Sequence, residues 1–140
     1  MKKLLAPVLA ALFALIAAAC SSSSFTGLGL ELTSLERTAD GAVTATVRIT
    51  NTNVVAFNFP LARHTISLDG REIGTLVIET PTGVPSQTAV EQTGRVELRR
   101  GAELSAGPAS YRLESRIVVR LYGDRTENKQ LGGSGTVVVK

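Results

Sequence analysis

The chain contains no tryptophan, one cysteine and one histidine among 140 residues, and only 4% of it is aromatic. One cysteine forms no intrachain disulfide. It also excludes structural zinc sites built from four cysteines, or from two cysteines and two histidines. One histidine excludes a metal centre held by three. Excess charge is scarce too: 15 Lys+Arg face 12 Asp+Glu, a formal +3, too little to indicate nucleic acid. Beyond residue 20 no long apolar pattern of helical period occurs, which points away from a helical fold. The length suits one domain, since domains run ~100–150 residues.

What is abundant is apolar sequence at the N-terminus. Met1-Lys2-Lys3 is basic, Leu4 to Ala19 is apolar, and Cys20 precedes four serines, Ser21 to Ser24. This is the order of a secretory signal. The run is 16 residues long and contains Pro7, short of the ~20 residues that span a hydrocarbon core. Ile16-Ala17-Ala18-Ala19-Cys20 resembles a bacterial lipobox, with Ala17 where Leu is usual. The resemblance implies diacylglyceryl attachment to the Cys20 sulfur and cleavage before Cys20. Acyl chains contribute ~0.8 kcal/mol per buried methylene, so several of them anchor firmly. Ser21 resembles the residue of an outer-membrane passenger rather than an inner-membrane one. Residues 1–19 are thus expected to be a cleaved signal peptide, and residues 20–26 a lipidated cysteine with a Ser-rich tether. Residues 27–140 form the domain. Loss of Lys2 and Lys3 leaves 13 basic against 12 acidic residues, which removes the main support for nucleic-acid binding.

The domain alternates with period two. Leu28, Leu30 and Leu32 share one face, as do Val43, Ala45, Val47 and Ile49, with Asp40-Gly41 as the turn between them. Asn51 to Leu61 reads as a crossing. His64 to Leu68, Asp69-Gly70 and Arg71 to Gly74 read as a hairpin that continues through Ile78. Thr80 to Pro85 reads as a loop, because proline removes ladder donors. Val90 to Leu98 and Tyr111 to Tyr122 read as strands, and Gly123 to Gly135 as a polar, glycine-rich connection before a last strand at Thr136 to Val139. About seven short strands with turns between them indicate a sandwich or a barrel.

A strand ending Ile49-Thr50-Asn51-Thr52-Asn53 before an aromatic apolar segment resembles the late embryogenesis abundant type 2 family, or WHy (water stress and hypersensitive response) domain. Thr65 to Gly74, Tyr111 to Ile117 and Ser134 to Val137 resemble its later segments. Thr52 stands where the family carries Pro. The resemblance implies an immunoglobulin-like or fibronectin type III-like antiparallel β-sandwich, and a role in stress or desiccation tolerance without catalysis. Asn51 and Asn53 are expected to shape the strand exit, since Asn side chains mimic backbone groups at turns.

The chemistry-bearing residues are sparse. His64 is the only base for a nucleophilic triad and reads as a surface or strand-edge histidine. The acids lie singly along strands, which suits solvated sheet faces. Asp124 and Glu127 are too dilute for a calcium loop. Gly132-Gly133-Ser134-Gly135 precedes a strand rather than a helix, unlike a phosphate cradle. No cofactor and no metal site is expected. Arg112, Arg116 and Arg120 recur on one strand face. They are a candidate surface for an anionic glycan, lipid headgroup or acidic partner, or for cross-strand pairing with Glu91 or Glu97. The expectation is a non-enzymatic, envelope-anchored domain protecting envelope components under stress. The alternative is an assembly module that binds one envelope protein or polymer, with Thr136 to Lys140 as a sheet edge open to strand addition.

Overall fold

The computed structural model describes residues 27–120 and 124–140. Cys20, the tether, Leu121 and Tyr122 lie outside the described residues. Every described regular element is a strand: β1 Leu28–Arg37, β2 Val43–Asn51, β3 Phe57–Leu68, β4 Arg71–Ile78, β5 Thr82–Val84, β6 Thr88–Leu98, β7 Gly107–Arg120 and β8 Thr126–Val139.

The period-two pattern is realised as an inward apolar face. In β1, Leu28, Leu30 and Leu32 point inward, and a register shift between Leu32 and Ser34 turns Leu35 inward too. In β2, Val43, Ala45, Val47 and Ile49 are buried, and Asn51 occupies the next inward position. The β1–β2 turn is tied by Thr38, whose amide and hydroxyl both donate to the Ala42 carbonyl. Asp69 and Gly70 carry φ of 47° and 80° between β3 and β4, the left-handed pair that a tight hairpin turn requires.

The strands form one sheet that closes on itself. Around the ring the order is β3, β4, β6, β2, β1, β8, β7 and back to β3, with β5 added beside the start of β3. The seven-strand closed barrel replaces the expected two-sheet sandwich; the all-β class stands. The seams explain the difference. Two glycines let backbones approach where a sandwich would part into two sheets. At the β4–β6 seam, paired over Gly74↔Leu98 to Leu76↔Val96, a Cβ on Gly74 would sit 2.4 Å from the Glu97 carbonyl oxygen. At the parallel β1–β8 seam, a Cβ on Gly133 would sit 2.3 Å from the Leu30 carbonyl oxygen. Glycine in a strand marks such close approaches.

Three further readings are corrected. The glycine-rich run 132–135 is the middle of a 14-residue strand rather than a connection. Gly133 serves the seam, and a Cβ on Gly135 would sit 3.0 Å from the Tyr111 hydroxyl oxygen, so an aromatic neighbour covers the missing side chain. Thr82–Val84 pairs with Phe57–Phe59 despite the nearby prolines, because Pro81 and Pro85 sit just outside the paired residues. Thr136 to Lys140 is no open edge. The Lys140 amide donates to Leu35, the Arg37 amide donates to Lys140, and β7 pairs along the other side of β8.

The interior is one core of Leu, Val and Ile, with Phe59 and Ile117 among its largest fully buried side chains. Two stacked rings, Phe57 and Phe59 with centroids 6.3 Å apart, close the end where β3 begins.

Candidate functional site

The first constellation is the exit of β2. Asn51 is fully buried, and its amide nitrogen reaches three carbonyls: Val55 at 2.8 Å, Pro85 at 3.0 Å and Val84 at 3.3 Å. Its Oδ1 accepts from the amide of Asn53 at 2.9 Å and from the Asn53 side chain at 3.1 Å. The Asn53 carbonyl in turn accepts from the amide of Gln87, which has a φ of 52°. One side chain therefore joins the β2–β3 loop to the β5–β6 loop, with the hydrogen-bonding capacity of its amide fully used. Gly27 completes the corner: its carbonyl accepts from the Thr52 amide at 2.8 Å.

The second constellation is polar and interior. His64 is not at the surface: it is fully buried on the inward side of β3. Its Nδ1 lies 2.7 Å from the Ser115 hydroxyl and its Nε2 lies 3.0 Å from Gln92 Oε1. Gln92 Nε2 donates to Thr82 at 2.9 Å, so Oε1 is the acceptor facing the ring. Nε2 therefore carries the proton and the Ser115 hydroxyl donates to Nδ1. Burial lowers the His64 pKa, partly opposed by the hydrogen bond to Gln92. A hydroxyl, an imidazole and an orienting group do line up. The third member is an amide, which offers an imidazolium no countercharge. Ser115 is 2% exposed, so substrate has no approach to its hydroxyl. The arrangement is a satisfied polar bridge across the core.

The third constellation is the outer face of β3, β7 and β8. Arg112, Arg116 and Arg120 are exposed at every second outward position of β7. Arg112 pairs with Glu114 on its own strand at 3.2 Å. The expected pairing with Glu91 or Glu97 does not form; Glu91 is taken by Arg48 at 3.0 Å, which also reaches Glu31 at 3.4 Å. Arg116 instead faces Arg63 directly across β3 and β7, and neither is in an ion pair with a described carboxylate. A shallow open groove runs past Arg63, Thr65, Arg112, Arg116, Gln130 and Ser134. Sequence reasoning missed Arg63, since only the β3–β7 register places it opposite Arg116. Arg120 faces Asn58 and lies outside this groove. Among the described residues no group of three His, Cys, Asp or Glu could hold a metal ion, and no helix is long and apolar enough to cross a membrane.

No protein-family model and no curated protein matches the chain. Solved structures do. The chain is similar to the solution structure of a candidate late embryogenesis abundant (LEA) protein, at 12% identity and a TM-score of 0.50, over 95% of this chain and 84% of that one. It is also similar to an X-ray structure of a structural genomics target, at 11% identity and a TM-score of 0.50, over 81% of this chain and 88% of the other. A solution structure from Arabidopsis thaliana aligns at 16% identity and a TM-score of 0.48, over 79% and 78% of the two chains. At these identities the likeness is one of fold: the barrel has the architecture of a protein placed among the LEA proteins.

Proposed function

We propose that this chain is a non-enzymatic, lipid-anchored domain of the late embryogenesis abundant type 2 (WHy) kind. It protects envelope components during water loss by contact through its exposed faces. The reading rests on one observation above others, the shared fold over 95% of the chain with a candidate LEA protein. The lipobox-like Ile16 to Cys20 supports anchoring through Cys20, and Ser21 supports an outer-membrane position facing the periplasm. The protein works without cofactor, and its contacts are the membrane and envelope proteins or polymers, not nucleic acid. The test is drying. The soluble chain from Ser21 onward is expected to preserve a labile enzyme through dehydration better than an equal mass of an inert protein. Equal recovery in the two samples overturns the protective role.

One observation favours a second reading, a module that binds a specific anionic partner. Arg63 and Arg116 stand opposite each other without a described carboxylate between them, an arrangement that like-charge repulsion disfavours. A bound anion relieves it. Crosslinking of the intact lipoprotein in its native envelope separates the readings: one stoichiometric product through β7 supports the module, and a broad spread of products supports general protection.

A further inference from the structure

We infer that the end of the barrel built by the β2–β3 and β5–β6 loops rests on the lipid surface, with Val54 and Val55 as its contact. The inference deepens the proposed anchoring and rests on Cys20 being acylated.

Four observations converge on this end. First, Val54 is 82% exposed and Val55 43% exposed. Ala56 beside them and Pro85 on the neighbouring loop are exposed as well. Adjacent exposed apolar side chains mark contact surfaces, whereas isolated ones do not. Second, the tip is held in place rather than loose. Asn51 binds the carbonyls of both Val55 and Pro85, so the two apolar loops are drawn together by one buried amide.

Third, the chain enters the barrel here. The Gly27 carbonyl is bonded to the Thr52 amide, two residues from Val54. Cys20 precedes Gly27 by seven residues, which span at most about 25 Å at ~3.6 Å each. An acylated Cys20 therefore holds this end near the bilayer. The opposite end, where Val138 is exposed, lies away by most of the length of β1: Leu28 pairs with Asn51 beside the tip and Leu35 with Val139, seven positions apart at ~3.3 Å each.

Fourth, the end is free of charge where it matters. Residues 52–62 and 80–90 contain no Asp, Glu, Lys or Arg, so lipid contact there desolvates no ion. Charge returns at Arg120, opposite Asn58, and at Asp124 and Arg125 beyond it.

The absence of tryptophan makes the test direct. Val54→Trp and Val138→Trp each install a sole indole at an exposed position. Each full-length chain is expressed with Cys20 acylated and reconstituted into phosphatidylethanolamine–phosphatidylglycerol vesicles carrying brominated acyl chains. Contact of the tip with the headgroup and acyl boundary is expected to quench the indole of the Val54→Trp variant about twofold or more and shift its emission to the blue, with the emission of the Val138→Trp variant unchanged. Flotation with the vesicles but equal, unquenched emission from both variants overturns the lipid contact while leaving the anchor standing. Failure to float, with an unmodified Cys20 by mass spectrometry, overturns the anchor and the inference with it.

Discussion

At the scale of single residues, two buried polar side chains carry the sharpest expectations. Asn51 uses both ends of its amide, so Asn51→Ala leaves carbonyls of two loops unsatisfied and is expected to cost about 2–3 kcal/mol. Asn51→Asp is expected to cost more than Ala, because it turns a carboxylate oxygen toward the carbonyls of Val55, Val84 and Pro85. Urea midpoints of the three proteins check the order; an Asp variant as stable as the Ala variant contradicts it. His64 adds a pH dependence. Its folded pKa lies below its ordinary value because burial disfavours the cation. The unfolded chain therefore takes up the proton first as pH falls below ~6.5. Stability from this group is complete above that pH and declines as pH drops toward the folded pKa. The chain holds one imidazole, so a proton NMR titration reads it without overlap. Its inflection is expected below the ordinary ~6.5, and an inflection at or above that pH overturns the bridge. The surface reading of His64 overlooks its parity with Ile66 and Leu68, which places it on the inward face of β3. The partners of His64 were not legible: Ser115 and Gln92 lie 51 and 28 residues away, and only the closed fold brings the three together.

At the scale of elements, the register is what the sequence withheld. Alternation identified which face of β1, β2 and β7 turns inward, because burying one face forces period two. It did not say which strands meet, and so it read the glycines of β8 as a connection. Their placement is instead specific to each residue. A Cβ on Gly132 would meet only the Leu113 carbonyl oxygen at 3.7 Å, an ordinary contact, while one on Gly133 would collide with the Leu30 backbone. Gly132→Ala is expected to leave the thermal midpoint near wild type, whereas Gly133→Ala costs about 2–3 kcal/mol through overpacking at the seam. Equal midpoints for the two contradict the close β1–β8 approach. The Arg63–Arg116 pair is also a consequence of register. Replacing one partner by its opposite charge, Arg63→Glu, is expected to stabilise the protein by about 0.2–1 kcal/mol, the range of exposed cross-strand pairs. A loss of stability on that change shows that the two guanidinium groups do not repel across the ladder.

At the scale of the whole molecule, the decisive difference is between an open sheet and a closed one. If the last residues were a spare edge, the domain would survive without them. In the ring they form a joint: Val137 and Val139 are 4% exposed, Leu35 pairs with Val139, and Lys140 exchanges backbone bonds with Leu35 and Arg37. Removing residues 136–140 exposes the inner flank of β1 along this stretch and deletes two buried valines. At about 1.5–3 kcal/mol for each buried side chain, the valines alone account for a large part of the ~5–15 kcal/mol that typically separates folded from unfolded chains. The truncated protein is therefore expected to lose its cooperative thermal transition, and hydrogen exchange is expected to accelerate in β1 and β7 together, since both lose the strand between them. A cooperative transition retained within a few degrees of wild type would mean that the barrel closes without this joint. The same joint decides which way the protein associates. With β8 paired on both sides, no strand there is left to accept a partner's backbone, so any association through this joint must use side chains. Substituting Thr136 with Pro, which deletes an amide donor within β8, then weakens folding without creating or abolishing any intermolecular contact, and light scattering of that variant stays that of the wild type at equal folded concentration.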